Sequence, residues 1–153
     1  MDRSQIGLRL ILDEVGFNFS NDINYEDVRS VVYFASELEV IPVRYPFWWH
    51  YNRGLSSRRL YEDFSIVRKE ALTPLDDSDK WSLDDNSRER LNSIKILVSK
   101  KRELGFLASV HFLLRSHNEG EITDIFRRYG RNCSYSDVKE AVGTLKEHCL
   151  LRN

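Results

Sequence analysis

The chain has 153 residues, 41% of them hydrophobic and 31% charged, with a formal net charge of −1. That length fits one domain with its own core, and the composition excludes an intrinsically disordered segment and a polyanion binder driven by overall charge. No apolar run approaches the ~20 residues a membrane helix needs, so a soluble protein with no membrane partner is expected.

The first stretch, MDRSQIGLRLILDEVG, places Ile6, Leu10 and Val15 at helical spacing, with Gly16 as its terminator. Arg9, Asp13 and Glu14 interrupt any export-type apolar segment. Only two cysteines occur, Cys133 and Cys149, at a spacing that suits neither a zinc knuckle nor a disulfide scaffold. A reducing cytoplasm is the expected setting, with Cys149 as a small buried hydrophobe.

Asn24 is an N-cap for a second helix, with Glu26 and Asp27 in its first turn. Val28, Val31, Ala35 and Leu38 form that helix's apolar stripe. Pro42 and Pro46 then end helical order and bracket an extended segment.

The segment that follows, YPFWWHYNRGLSSRRLYEDF, sets Arg44, Arg53, Arg58 and Arg59 among aromatic side chains around Gly54. From Arg44 to Lys69 the local excess is four positive charges. In an extended segment the buried face is either Phe47, Trp49 and Tyr51 or the alternate set Tyr45, Trp48 and His50. With aromatics on both faces, at least one must pack inward.

Whatever stays outside suits a protein partner, because Trp, Tyr and Arg dominate interface hot spots. It also suits single-stranded nucleic acid, where rings stack on bases and guanidiniums meet phosphates. The contact candidates are Arg44, Trp48, His50, Arg53, Gly54, Arg58 and Arg59, and the packing candidates are Phe47, Trp49, Leu60 and Phe64. Gly54 fits a turn of positive φ before a helix capped by Ser56 or Ser57, in which Leu60, Phe64 and Val67 share a face.

Thr73 to Ser87 reads as an acidic loop, with a short helix starting at Asp84 as an option. Its carboxylates lack the glycine and glutamate of a calcium loop. Helical period resumes from Glu89 with Leu91, Ile94 and Val98. Glu103–Arg115 is the expected central buried helix, Glu121–Tyr129 a shorter one, and Ser136–Cys149 the last.

These three follow the order of a winged-helix DNA-binding unit, with Arg127, Arg128 and Arg131 as alternative nucleic-acid contacts. Against that, Lys139 and Lys146 are offset by Asp137, Glu140 and Glu147, and few residues follow Leu151 to make a wing. The four histidines His50, His111, His117 and His148 show no chelating spacing, and no nucleophile motif is present. No catalytic residue, metal or cofactor is therefore expected.

Two stretches, VVYFASELEV and YPFWWHYNRGLSSRRLYEDFSIV, resemble the YwgA-like proteins and, more distantly, the Panacea (SocA-like) antitoxin domain. Tyr33 and Ala35 match the helix of that pattern, Phe47 and Tyr51 its aromatic segment, and Gly54 and Ser56 its turn. Leu60 and Asp63 match the helix after the turn, while LASVHFLLRSH and YSDVKEAVGTLKEHCLL resemble the way YwgA-like chains end. The sequence departs where GLS stands for GPY and where Arg29 or Ser30 stands near the usual lysine. The resemblance implies a compact helical protein, some of whose Panacea cousins neutralise toxins by binding them.

The expectation is an all-α or nearly all-α single domain over 1–153, with at most a short β element near 43–49. It comprises an N-terminal half (1–72) with the aromatic strip, an acidic loop (73–87) and C-terminal helices (88–153). Its expected work is non-enzymatic binding of another protein in a regulatory or antitoxin-like role, with nucleic acid as the alternative.

Overall fold

The structure, a computed structural model, describes residues 2–17, 24–40, 45–50, 54–70, 82–100 and 103–151. Seven helices and one two-stranded hairpin are formed by these residues, so the fold is mostly α as expected. Arg44, Tyr51, Arg53 and most of the acidic stretch 73–87 lie outside the described residues. Among the described residues no helix is long and apolar enough to cross a membrane.

Every helix but the fifth begins where a side chain supplies an oxygen for its unpaired N–H groups. Helix α1 (Arg3–Glu14) starts with a capping box: Gln5 N–H donates to the Asp2 carboxylate, and the Gln5 side chain accepts from Asp2 N–H. In α2 (Tyr25–Glu37) the Asn24 side chain accepts from Glu26 N–H at 2.9 Å.

The hairpin follows, as β1 (Trp48–His50) and β2 (Gly54–Ser56). It is antiparallel, with Trp48 opposite Ser56, Trp49 opposite Leu55 and His50 opposite Gly54. The β element thus reaches beyond the expected 43–49. Helix α3 (Arg58–Glu70) is entered through Ser57, whose hydroxyl accepts from Leu60 N–H.

Helix α4 (Asp85–Ser99) is capped by Asp84, which accepts from Ser87 N–H at 2.7 Å. The loop expected through Ser87 therefore ends at Asp84. Helix α5 (Leu104–Leu113) is followed by α6 (Glu119–Arg128) and α7 (Tyr135–Glu147), which open on the capping boxes Asn118/Glu121 and Ser134/Asp137.

Four of the helices stop in one way. The residue after the C-cap turns to positive φ, and two reversed hydrogen bonds close the end. At Gly16 (φ 93), Gly16 N–H bonds Asp13 O and Phe17 N–H bonds Leu12 O; Gly130 (φ 79) ends α6 with the same pair of bonds. Glu39 (φ 58) ends α2 and Cys149 (φ 57) ends α7, although neither is glycine.

This corrects the expectation for Cys149. Its helix stops at Glu147, so the thiol projects into solvent, and Leu150 turns back into the core in its place. Cys133 is the buried cysteine.

Helices α2 and α5 form the centre. On α2 the run Val31–Ala35 is buried all round, because α1, α4 and α5 close on it from different sides. Helix α5 packs on α2, α7 and β2, while α1 packs on α3, and α6 on α7.

Candidate functional site

The hairpin sorts the two adjacent tryptophans, because successive strand residues face opposite sides. Trp48 stays 50% exposed, its ring 5.2 Å from that of His50 on the same face. Trp49 faces inward. It lies stacked on Phe112 (centroids 6.4 Å, 16° between planes) and edge-on to Phe126. Leu55, opposite Trp49, is 1% exposed, and burying a leucine stabilises by about 1.5–3 kcal/mol.

Of the two alternate faces, Phe47, just before the hairpin, and Trp49 within it therefore form the inward one. Tyr45, before the hairpin, is buried as well. Gly54 has φ +73, and a Cβ there would lie 3.7 Å from the Trp49 ring. That is an ordinary contact, so the turn's positive φ, and not space, is what favours glycine.

The inward anchor of the strip is Tyr45. Its hydroxyl donates to Asp63 Oδ2 at 2.7 Å, and the same carboxylate accepts from Gln5 Nε2 (3.3 Å) and Ser4 Oγ (3.1 Å). Burial, then the bond to Asp63, pushes the Tyr45 hydroxyl far above its ordinary value, so it serves as a donor throughout. This cluster joins α1, the aromatic strip and α3.

The outer face continues onto α3. Two residues after Ser56, the Arg58 side chain stands 90% exposed and pairs with Glu62 at 3.3 Å. Arg59 is exposed too. Tyr61, one helical turn beyond Arg58, is 58% exposed and meets Tyr25 edge-on at 5.2 Å. Leu60 and Phe64 point into the core as expected.

Beneath the hairpin lies a second polar cluster. Tyr33 is 1% exposed, edge-on to Phe47 at 5.4 Å, and its hydroxyl is 2.7 Å from His111 Nδ1. His111 Nε2 is 2.9 Å from the Leu150 carbonyl. Arg115 pairs with Glu37 and lies over the Tyr33 and Phe112 rings. Burial chiefly lowers the His111 pKa, against the opposing effect of Glu37.

The C-terminal arginines are largely committed within the fold. Arg127 Nε donates to the Cys133 carbonyl at 2.9 Å, fixing the turn between α6 and α7. Arg131 pairs with Glu103 at 3.0 Å, and its guanidinium sits 4.4 Å above the Phe106 ring centroid. Arg128 is exposed. Together α5, that turn and α7 line an open groove of about 710 Å³, whose Lys100 and Arg131 are matched by Glu103, Asp137 and Glu140.

The predicted site residues thus fall into two groups. The structure brings Trp48, His50, Gly54, Arg58 and Arg59 to the hairpin and its junction with α3, and holds Arg127 and Arg131 against their own chain. The polar clusters around Asp63 and His111 escaped the sequence reading, since the partners of Asp63 lie 18–59 residues away and those of His111 39–78. Among the described residues no three histidine, cysteine, aspartate or glutamate side chains gather as a metal site. Compared with known proteins, the chain matches no family model, no curated protein and no solved structure.

Proposed function

We propose that the chain is a non-enzymatic binding protein whose partner is another protein, received on the outward face of the hairpin and the first turn of α3. The observation that carries this reading is the fate of the tryptophan pair: Trp49 is packed inside while Trp48 keeps half its surface in solvent. A large ring held on a strand, next to His50 and within a few residues of Arg58 and Tyr61, has the composition of a protein hot spot. Such rings cost little conformational entropy when a partner covers them.

A regulatory or antitoxin-like role in the cytoplasm is the form we give this reading. It accords with the likeness to the YwgA-like and Panacea groups, and with two cysteines that are both free. The second reading is nucleic-acid binding. The exposure of Arg58, two residues beyond the strand paired with that of Trp48, favours it, whereas the commitment of Arg127 and Arg131 to Cys133 and Glu103 speaks against the C-terminal route.

The test uses the wild-type chain, Trp48→Ala and the double variant Arg58→Ala with Arg59→Ala. Affinity capture at about 50 and 200 mM salt is run beside anisotropy titrations with labelled DNA and RNA. The reading expects a captured protein that survives the higher salt and is lost with Trp48→Ala. Nucleic-acid binding that collapses with salt and with the double arginine variant overturns it.

A further inference from the structure

His111 is held from both ring nitrogens, and the two partners dictate which one carries the proton. The Leu150 carbonyl only accepts, so the nitrogen 2.9 Å from it, Nε2, carries the hydrogen. In a neutral ring Nδ1 is then bare and accepts the Tyr33 hydroxyl at 2.7 Å. One tautomer satisfies both bonds, and a second proton has only Nδ1 to occupy.

There it would point at Tyr33 Oη, displacing the hydroxyl hydrogen that now fills the gap. The Arg115 guanidinium already lies over the Tyr33 ring, 5.8 Å from its centroid. Protonation therefore turns a cationic donor onto the phenol oxygen and strands the phenol's own hydrogen. We propose that His111 is an acid-sensitive latch: neutral, it locks α2, α5 and the segment after α7 together, and on taking up a proton it lets go of Tyr33.

The groups facing the ring bear this out. From α2 come Tyr33, Glu37 and the edge of Phe34 at 5.7 Å, from the turn after α5 Arg115, and from the segment after α7 the Leu150 carbonyl. Glu37 favours the charged ring, but it is tied to Arg115, which disfavours it. Burial outweighs the opposing pull of Glu37 and of the Leu150 carbonyl and keeps the ring neutral. Release of Tyr33 acts on the strip directly, because Phe47 rests on the Tyr33 ring and Trp49 on Phe112, the next residue after the latch.

The sign follows from linkage. A histidine with a lowered folded value contributes stability that is complete above its ordinary 6.5 and is lost as the pH falls through the folded value. The test is nitrogen-detected NMR of the His111 ring in the intact chain, which needs no substitution. At neutral pH the proton is expected on Nε2, with a titration midpoint below 6.5. Tyr33→Phe removes the hydrogen bond that holds the neutral form, so its His111 midpoint is expected to rise.

Thermal unfolding supplies the second readout. Between pH 7 and 5 the wild-type Tm should drop by about 3 °C, beyond any drop in His111→Gln, for each pH unit by which the midpoint is lowered. A proton on Nδ1, a midpoint at or above 6.5, or a midpoint indifferent to Tyr33→Phe would each overturn the latch.

Discussion

Replacing Asp63 by asparagine keeps the shape of the side chain and removes half of its accepting capacity, which makes it a sharp probe of the cluster that anchors the strip. Only one orientation of the new amide preserves the 2.7 Å bond from Tyr45, and it places the NH₂ against Gln5 Nε2. Gln5 cannot flip to relieve this, because its Oε1 caps Asp2 N–H at 3.0 Å.

Ser4 offers little compensation, since its single hydroxyl proton lies nearer Asp2 (2.7 Å) than Asp63 (3.1 Å). The Tyr45 bond drops from charge-assisted to neutral strength, a loss of about 1 kcal/mol, and the opposed donors cost about 1–3 kcal/mol more. The expected total is about 2–4 kcal/mol, against a typical domain stability of about 5–15 kcal/mol.

Urea unfolding followed by far-UV circular dichroism measures it, with the m-value expected to stay unchanged. Tyr45→Phe is the companion, and the two together should be non-additive because they share one hydrogen bond. A loss below about 0.5 kcal/mol for Asp63→Asn would refute the reasoning, since that is the range of surface substitutions away from any such cluster.

Other consequences are open to simple measurement. Glu39→Gly relieves a left-handed residue at the end of α2 and should stabilise by about 0.5–1 kcal/mol in the same urea assay. With a water-soluble thiol reagent, the native chain should react rapidly at one cysteine, Cys149, and at Cys133 only on unfolding; peptide mapping identifies the site. Arg131→Ala removes the ion pair to Glu103 and the contact with the Phe106 ring, so its expected effect is a stability loss of about 1 kcal/mol.

Local features of this fold were readable from the sequence wherever the cause is itself local. Asn24 caps α2 because its side chain reaches an N–H two residues on. Gly54 turns the chain before α3 because only glycine takes that φ without strain. The fate of the tryptophans was not readable in this way. Alternation offered two faces, and what chose between them is Phe112, which the sequence sets more than 60 residues from Trp49.

The same holds for Asp63, which looks like an ordinary helix-surface acid beside Glu62 and is in fact 7% exposed. Cys149 misled for a different reason. The apolar spacing of α7 continues through it, and the stop that turns it outward is made by backbone bonds at a residue that is not glycine. A helix end of that kind leaves no residue signature.

The arrangement of caps and stops bears on how the chain finds its fold. Helices α6 and α7 each carry a capping box at one end and a reversed-bond stop at the other, and both devices close within a few residues. Their packing on each other and on α5 spans fewer than 50 residues, so little loop entropy is lost before contacts form. Helix α1, by contrast, rests mainly on α3, and the Asp63 cluster that fastens them needs a loop of nearly 60 residues closed first. Low contact order at one end and high contact order at the other make the α5–α7 unit the natural nucleus, with the aromatic hairpin and α1 docking onto a platform already built.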